Sequence, residues 1–343
     1  MTANRDGRRI VLLSLGAVLG LVVVGGLGLL AADDDADAAC NGHVELCDRA
    51  YDEVAYAATH NSMAAAAEPG WFFAEQPDGI RAQLDHGVRV LLVDSWYGQR
   101  TDRRGIIATT GSTRADALRE ARGEFGELAV RAALRAQGAT GLSPQGPVRP
   151  YLCHAMCELG STSWRHSLDE LRDWLAEHPR EVVTVFVQDE VTPADTAEVV
   201  EAAGLLAYVA APPALGWPTL GEMIDSGRRL VVLMENHGGG TSYPWLLQGF
   251  DWVQDTPYLF HDPAEFSCAP NRGDPDASLF LVNHWIKSKT RIAENAEVVN
   301  DRSVLAPRLE ECEAERGRLP NYVAVDYYDR GDLMAVVDEL NGF

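Results

Sequence analysis

Seven short apolar runs, each ending on a polar side chain able to do chemistry, constrain this chain more than any other feature. His60 follows Val54–Thr59, Asp94 follows Val88–Val93 and His154 follows Val148–Cys153. Gln188 follows Val182–Val187, Glu235 follows Leu230–Met234, His284 follows Leu279–Asn283 and Asp326 follows Tyr322–Val325. Runs rich in β-branched and aromatic residues read as strands, and segments of helical character separate most of them. Strand, functional side chain and helix in repetition is how a parallel β/α barrel gathers a site at the carboxyl ends of its strands. The expected fold is a single TIM-type β/α barrel whose one pocket holds histidines and carboxylates, which points to an enzyme.

The helical segments support that alternation. Ser167–His178 carries Leu168, Leu171, Trp174 and Leu175 on one face. Thr192 followed by Pro193 is a capping residue with proline at the first helical position. Thr290–Arg316 reads as long and mostly helical, and Leu205–Val209 as a weak additional strand. Between the second and third runs, Gly98–Pro150 reads as an elaborated loop with a helix around Ala115–Ala136.

Residues 1–39 form a separate segment. Arg5, Arg8 and Arg9 precede Ile10–Ala32, 23 residues without a charge. A helix of that length spans ~35 Å at ~1.5 Å per residue, enough for a bilayer core. We read it as a retained membrane anchor with its basic flank in the cytoplasm, cleavage near Ala31 or Ala32 being the alternative. Either way residues 40–343 form the catalytic domain and work outside the cytoplasm, anchored or secreted. Six cysteines fit an oxidising compartment. They allow fifteen connectivities, of which proximity favours Cys40–Cys47 and Cys153–Cys157, leaving Cys268–Cys312. Of the formal charge of −22, the three arginines and five aspartates of residues 1–39 supply −2. The remaining −20 argues against a nucleic-acid partner, and no basic cluster stands out. The sequence leaves the oligomeric state open.

Ala58-Thr59-His60-Asn61-Ser62-Met63, then Gln83-Leu84-Asp85-His86-Gly87-Val88-Arg89 leading to Asp94, resemble phosphatidylinositol-specific phospholipase C X-domain proteins. Leu152-Cys153-His154-Ala155-Met156-Cys157 and the ending Asn321-Tyr322-Val323-Ala324-Val325-Asp326 extend the resemblance from about Cys40 to the C-terminus. It implies cleavage of a phospholipid phosphodiester through a cyclic phosphate, with His60 as general base, Asp326 orienting it and His154 as general acid. Imidazole suits both tasks because its ordinary pKa of ~6.5 populates both forms near neutrality.

The resemblance also implies a positive charge against the phosphoryl oxygens, either a calcium ion or an arginine. Asn61 and Asp94 match two calcium positions, with Asp94 standing where the arginine would be. Leu92 and Gln188 replace two acidic ligands. Calcium takes about six to eight oxygens, so Asn61 and Asp94 alone imply a weaker or rearranged site, with Asp189 and Glu190 as candidates to compensate if the strand end bends. Gln188, Glu235 and Trp96 are the expected substrate contacts, Trp96 by stacking on a sugar ring. His237 and His284 are candidates without a role, and Cys153-His154-x-x-Cys157 lacks a fourth ligand for zinc. Two rival readings remain: a glycerophosphodiester or sphingomyelin-type phosphodiesterase, and a surface lipid-binding barrel without turnover.

Overall fold

The structure, a computed structural model, describes residues 38–110, 113–287 and 291–343. Its strands are β1 (Tyr56–Thr59), β2 (Val90–Thr101), β3 (Ile107–Thr109), β4 (Pro144–Leu152), β5 (Thr162–Ser163) and β6 (Val183–Asp189). They continue with β7 (Leu230–Met234), β8 (Leu246–Gln248), β9 (Val253–Asp255), β10 (Leu279–His284) and β11 (Tyr322–Val325). Eight of them pair side by side in the order β8-β7-β6-β2-β1-β11-β10-β9, and every pairing along that path is parallel. The expected barrel is therefore present as an opened form, since β8 and β9 end the path and are not paired with each other among the described residues.

Side chains alternate along these strands, and each alternation has its own core. Tyr56, Ala58, Phe186, Val231, Leu233, Leu281, Tyr322 and Ala324 pack together as one cluster inside the sheet. Their neighbours Ala57, Leu91, Val93, Val185, Val187, Val232, Val282, Val323 and Val325 pack with Leu168, Leu171 and Trp174 of the helix Trp164–Glu177 and with Leu309 of the helix Arg302–Arg316. Burial on both faces is why these runs are almost continuously apolar. The period of two then decides which polar residue at a strand end points inward.

Several expectations change. The third run is not a barrel strand: β4 returns antiparallel along β2, with Ser95 opposite Leu152 and Gly98 opposite Arg149, and β3 flanks β2 on its outer stretch. What reads as a loop is thus a hairpin extension followed by two helices, Arg114–Phe125 and Glu127–Ala136, broken by Gly126 at φ 83°. Leu205–Ala207 is a 3-10 turn rather than a strand, leaving only a bridge from Val209 to Leu230. The long C-terminal helix is two, Ile292–Val299 and Arg302–Arg316, the second restarted by the Asp301 side chain accepting from Ser303 N–H. The apolar stretch Ile10–Ala32 lies outside the described residues, and among those no helix is long and apolar enough to cross a membrane.

The disulfides are Cys40–Cys47, Cys153–Cys157 and Cys268–Cys312. The last closes the longest loop, 44 residues apart in sequence. The chain-entropy argument assigns about 4 kcal/mol to a loop of that length. A Cys268→Ala/Cys312→Ala double variant is accordingly expected to lose roughly 3–4 kcal/mol in urea titrations, and a loss under about 1 kcal/mol would contradict that argument.

Candidate active site

Each inward row ends in a polar residue at the carboxyl end of its strand. His60, Asp94, Gln188, Glu235, Asn283 and Asp326 share the parity of the inner cluster, and the first five line a cavity of about 330 Å³. Asn61, Glu120, Glu124, His154, Tyr258, Arg272, Trp285 and Lys287 complete its polar and aromatic wall. The volume is at the small end of the ~300–1,000 Å³ usual for ligand sites, the scale of a polar head group rather than of acyl chains.

Two histidines face this cavity with ring centroids 6.3 Å apart and planes at 78°. His60 Nδ1–H donates to Asp326 Oδ1 at 2.8 Å, so Nε2 carries the lone pair, which accepts from Asn61 Nδ2 at 3.0 Å. Trp285 stacks on the ring at 3.8 Å and 4°, fixing its plane. Gln76 donates to the carbonyls of His60 and Val325 at 2.7 and 3.0 Å, tying the ends of β1 and β11 together. His154 sits at the root of the hairpin, where Cys153 N–H donates to the Asp94 carbonyl and the Cys153–Cys157 disulfide closes the turn. Three of the four non-glycine residues with positive φ directly follow these groups: Asn61 at 46°, Ala155 at 59° and Tyr327 at 43°. Left-handed backbone costs energy outside glycine, and its placement after both histidines and Asp326 marks where the fold is held against local preference.

Glu75 is the group the sequence does not reveal. It sits in the loop after β1, buried, and its Oε2 lies 2.5 Å from Asn61 Nδ2, 3.2 Å from His154 Nδ1 and 4.0 Å from His60 Nδ1. His60, Glu75 and Asp326 present ligand atoms within 4.8 Å of one another, a grouping that differs from the expected metal pair. Each carboxylate there is already engaged by imidazole, so we read the grouping as a proton-holding network. Burial opposes charge on His154, but Glu75, with help from Asp94 and Glu124, outweighs it and lifts the pKa to about 10. Burial opposes charge on His60 too, and the Glu75 and Asp326 carboxylates overcome it, raising that pKa more moderately. Burial would raise the Glu75 pKa, yet the two histidines hold it well below the carboxylate range. Burial lifts Asp326 to about 6 against the pull of His60.

The opposite wall is oxygen-rich. Asp94 is buried against the cavity and its carboxylate makes no hydrogen bond or ion pair to a described residue; burial raises it to about 8, with His154 opposing. Glu120, from the helix Arg114–Phe125, is raised by burial and accepts from Gln188 Nε2 at 3.3 Å. An unpartnered buried carboxylate among Asn61, Glu120 and Gln188 is a donor set that fits a hard divalent cation. Asp189 does not compensate, because its oxygens accept the backbone N–H groups of Asn236 and His237 at 2.6 and 3.0 Å.

Glu235 and Gln188 line the cavity as expected. Glu235 pairs with Arg272, which also grips Asp255 through Nε at 2.9 Å and Nη2 at 2.7 Å and lies over the rings of Phe250 and Tyr258. Lys287 Nζ pairs with Glu124 at 2.7 Å. The expected contact Trp96 and the two histidines without an assigned role, His237 and His284, lie outside the cavity. Trp96 is fully buried with Ala117, Phe125 and Tyr151 beneath the hairpin, because β2 has left the barrel by that point. His284 has the outward parity and is locked among helices, its Nε2–H donating to Val299 O at 2.7 Å and its Nδ1 accepting from Arg308 at 2.9 Å. Burial and the neighbouring guanidinium push its pKa down to about 3. His237 is exposed and lies outside the cavity.

The chain is similar to several known proteins. The PI-PLC X domain-containing protein 1 of Arthroderma benhamiae is 27% identical over 351 residues, covering 94% of this chain and 96% of the relative. An uncharacterized secreted protein of the same fungus is 25% identical over 319 residues, covering 86% of this chain and 61% of that one. The solved phosphatidylinositol-specific phospholipase C of Staphylococcus aureus superposes with a TM-score of 0.53 at 12% identity, covering 87% and 95% of the two chains, which is a likeness of fold. The family described as PI-PLC X 1 matches residues 135–341, a span that includes His154, Gln188, Glu235 and Asp326, and the chain belongs to that family.

Proposed function

We propose that this chain is a phospholipase C-type phosphodiesterase that cleaves a phosphatidylinositol-like lipid outside the cytoplasm. The observation that carries this reading is the pair of imidazoles on one cavity, His60 hydrogen-bonded to Asp326 and His154 paired with Glu75. His60 Nε2 takes the proton of the head-group hydroxyl adjacent to the phosphodiester, displacing the Asn61 amide that it meets in the free protein. That oxygen attacks phosphorus and closes a cyclic phosphate. The phosphorus–oxygen bond to diacylglycerol breaks, and the leaving oxygen takes the proton of His154. Asp326 holds His60 in the tautomer with its lone pair on Nε2 and stabilises the imidazolium that forms. Glu235, Arg272, Gln188 and Asn283 supply paired donors and acceptors for ring hydroxyls.

Four carboxylates line the cavity against Arg272 and Lys287, both already paired, so an anionic phosphodiester needs further positive charge there. Asn61 and Asp94, with Glu120, would hold calcium, and the ion would neutralise charge on the phosphoryl oxygens. The disulfides and a relative described as secreted support an extracytoplasmic site of action.

The test is to incubate the full chain with phosphatidylinositol and follow phosphorus by NMR. An inositol cyclic phosphate is the expected product, and chelation is expected to slow its release by at least about tenfold. Calorimetry on the metal-free chain should show calcium binding that Asp94→Asn removes. Cleavage of glycerophosphodiesters alone would replace this reading, and lipid binding without any product would make the barrel a binding protein.

A further inference from the structure

A second, larger cavity of about 1,020 Å³ lies along the hairpin and is lined by Arg100, Arg103, Arg104 and Arg149. All four are exposed, and none of their guanidinium groups makes a hydrogen bond or ion pair to a described residue. A fifth lining arginine, Arg165, is paired with Asp169, and the lining carboxylates are Asp195, bonded by Tyr97, and Glu198. Several arginines elsewhere are ion-paired: Arg81 meets Glu177, Arg89 meets Glu181, Arg122 meets Glu127 and Arg302 meets Glu339. Four exposed arginines without an ion pair gather along one hairpin of a chain with a formal charge of −22, a local reversal of sign that attracts anions.

Their position gives the patch a direction. Strand β2 leaves the barrel at Asp94 and runs on to Thr101, so Arg100 stands about 20 Å beyond Asp94 at ~3.3 Å per residue. The hairpin therefore leaves the sheet at the carboxyl ends of the barrel strands, the end at which the catalytic cavity opens, and the helix Pro193–Ala202 walls the groove beside it. Its return strand places His154 at the root and, further out, Arg149 with half-exposed Val148.

We propose that this hairpin docks the molecule onto the anionic head-group layer of a bilayer and presents the mouth of the catalytic cavity to it. The choice of a bilayer over a soluble polyanion rests on the lipid-substrate reading; the electropositive groove does not. The phosphates of neighbouring lipids would pair with the four guanidinium groups, Pro147 and Val148 would enter between head groups, and the acidic remainder of the surface would be turned away.

The experiment uses the full chain and its Arg100→Gln/Arg103→Gln/Arg104→Gln/Arg149→Gln variant, so that residues 1–39 contribute equally to both. Flotation is measured on phosphatidylcholine vesicles with and without phosphatidylserine. Each basic residue near an anionic surface strengthens binding by about fivefold. The variant should therefore lose at least about 50-fold of the preference for anionic vesicles, allowing for partial engagement, and salt should reduce the parent's preference alone. Hydrolysis of a short-chain, monomeric phosphatidylinositol should be unchanged in the variant, which also certifies its folding. Equal partition of the parent onto both vesicles, or an unchanged variant, overturns the proposal. So does tighter capture by heparin in solution than by anionic vesicles. If the parent hydrolyses nothing but still prefers anionic vesicles, the catalytic reading fails and the docking surface stands.

Discussion

His154→Ala and His60→Ala are each expected to lower turnover on phosphatidylinositol by at least about 100-fold while the protein stays folded, the scale of a lost general acid or base. The two losses differ in character. His60 carries its lone pair on Nε2 and its proton toward Asp326. His60→Ala removes the acceptor for the nucleophile's proton, and added imidazole should restore part of the rate. His154 is held charged by Glu75, and without it the departing oxygen leaves as an alkoxide. A substrate with a good leaving group, such as a nitrophenyl phosphodiester of inositol, should therefore rescue His154→Ala far more than His60→Ala. The double variant should be little worse than the poorer single one, because base and acid serve the same step. Thermal melts of all three guard against unfolding. A rate within about tenfold of the parent in either single variant removes that histidine from the mechanism.

How much of this was legible in the sequence turns on parity. Most of the strands and the polar residues ending them follow from apolar runs, and His60, Asp94, Gln188, Glu235 and Asp326 stand at inward-facing strand ends. Along Leu279–His284 the inward residues are Leu279, Leu281 and Asn283, so the run's last residue faces helices and its penultimate one faces the cavity. Alternation along that run was the available signal, and counting it would have chosen Asn283 over His284. Trp96 fails for a different reason. It keeps the inward parity of Asp94 but lies past the point where β2 departs into a hairpin, and an antiparallel return after a long insertion has no local signature. Glu75, Glu120 and Arg272 come from loops and an inserted helix, where nothing periodic distinguishes them from Glu68, Glu127 or Arg291. The arginine patch was hidden in the same way, since Arg149 joins Arg100, Arg103 and Arg104 around one cavity only once β2 and β4 are paired.

Glu75→Gln is the variant that most sharply separates a proton-holding carboxylate from a structural one, through its effect on the pH profile of kcat/KM. The base must be neutral, so activity rises as pH climbs through the His60 pKa, which the free protein holds above the ordinary histidine value. The acid must be charged, so activity falls as pH climbs through the His154 pKa near 10. The expected profile is a bell displaced to alkaline pH, its limbs belonging to the coupled site. Among the groups raising the His154 pKa, Glu75 is the largest, acting both by charge and by a hydrogen bond. Neutralising it leaves the burial penalty opposed only by Asp94, Glu124 and weaker neighbours. The alkaline limb should then descend by at least about one pH unit, equivalent to about 1.4 kcal/mol of lost preference for the imidazolium. The acidic limb should descend as well, because Glu75 also raises His60. Asp326→Asn provides the contrast: Asp326 contacts His60 and not His154, so it should move the acidic limb and depress kcat while leaving the alkaline limb in place. An alkaline limb unmoved by Glu75→Gln would mean that another group keeps His154 charged, and the division of labour between the two carboxylates would have to be redrawn.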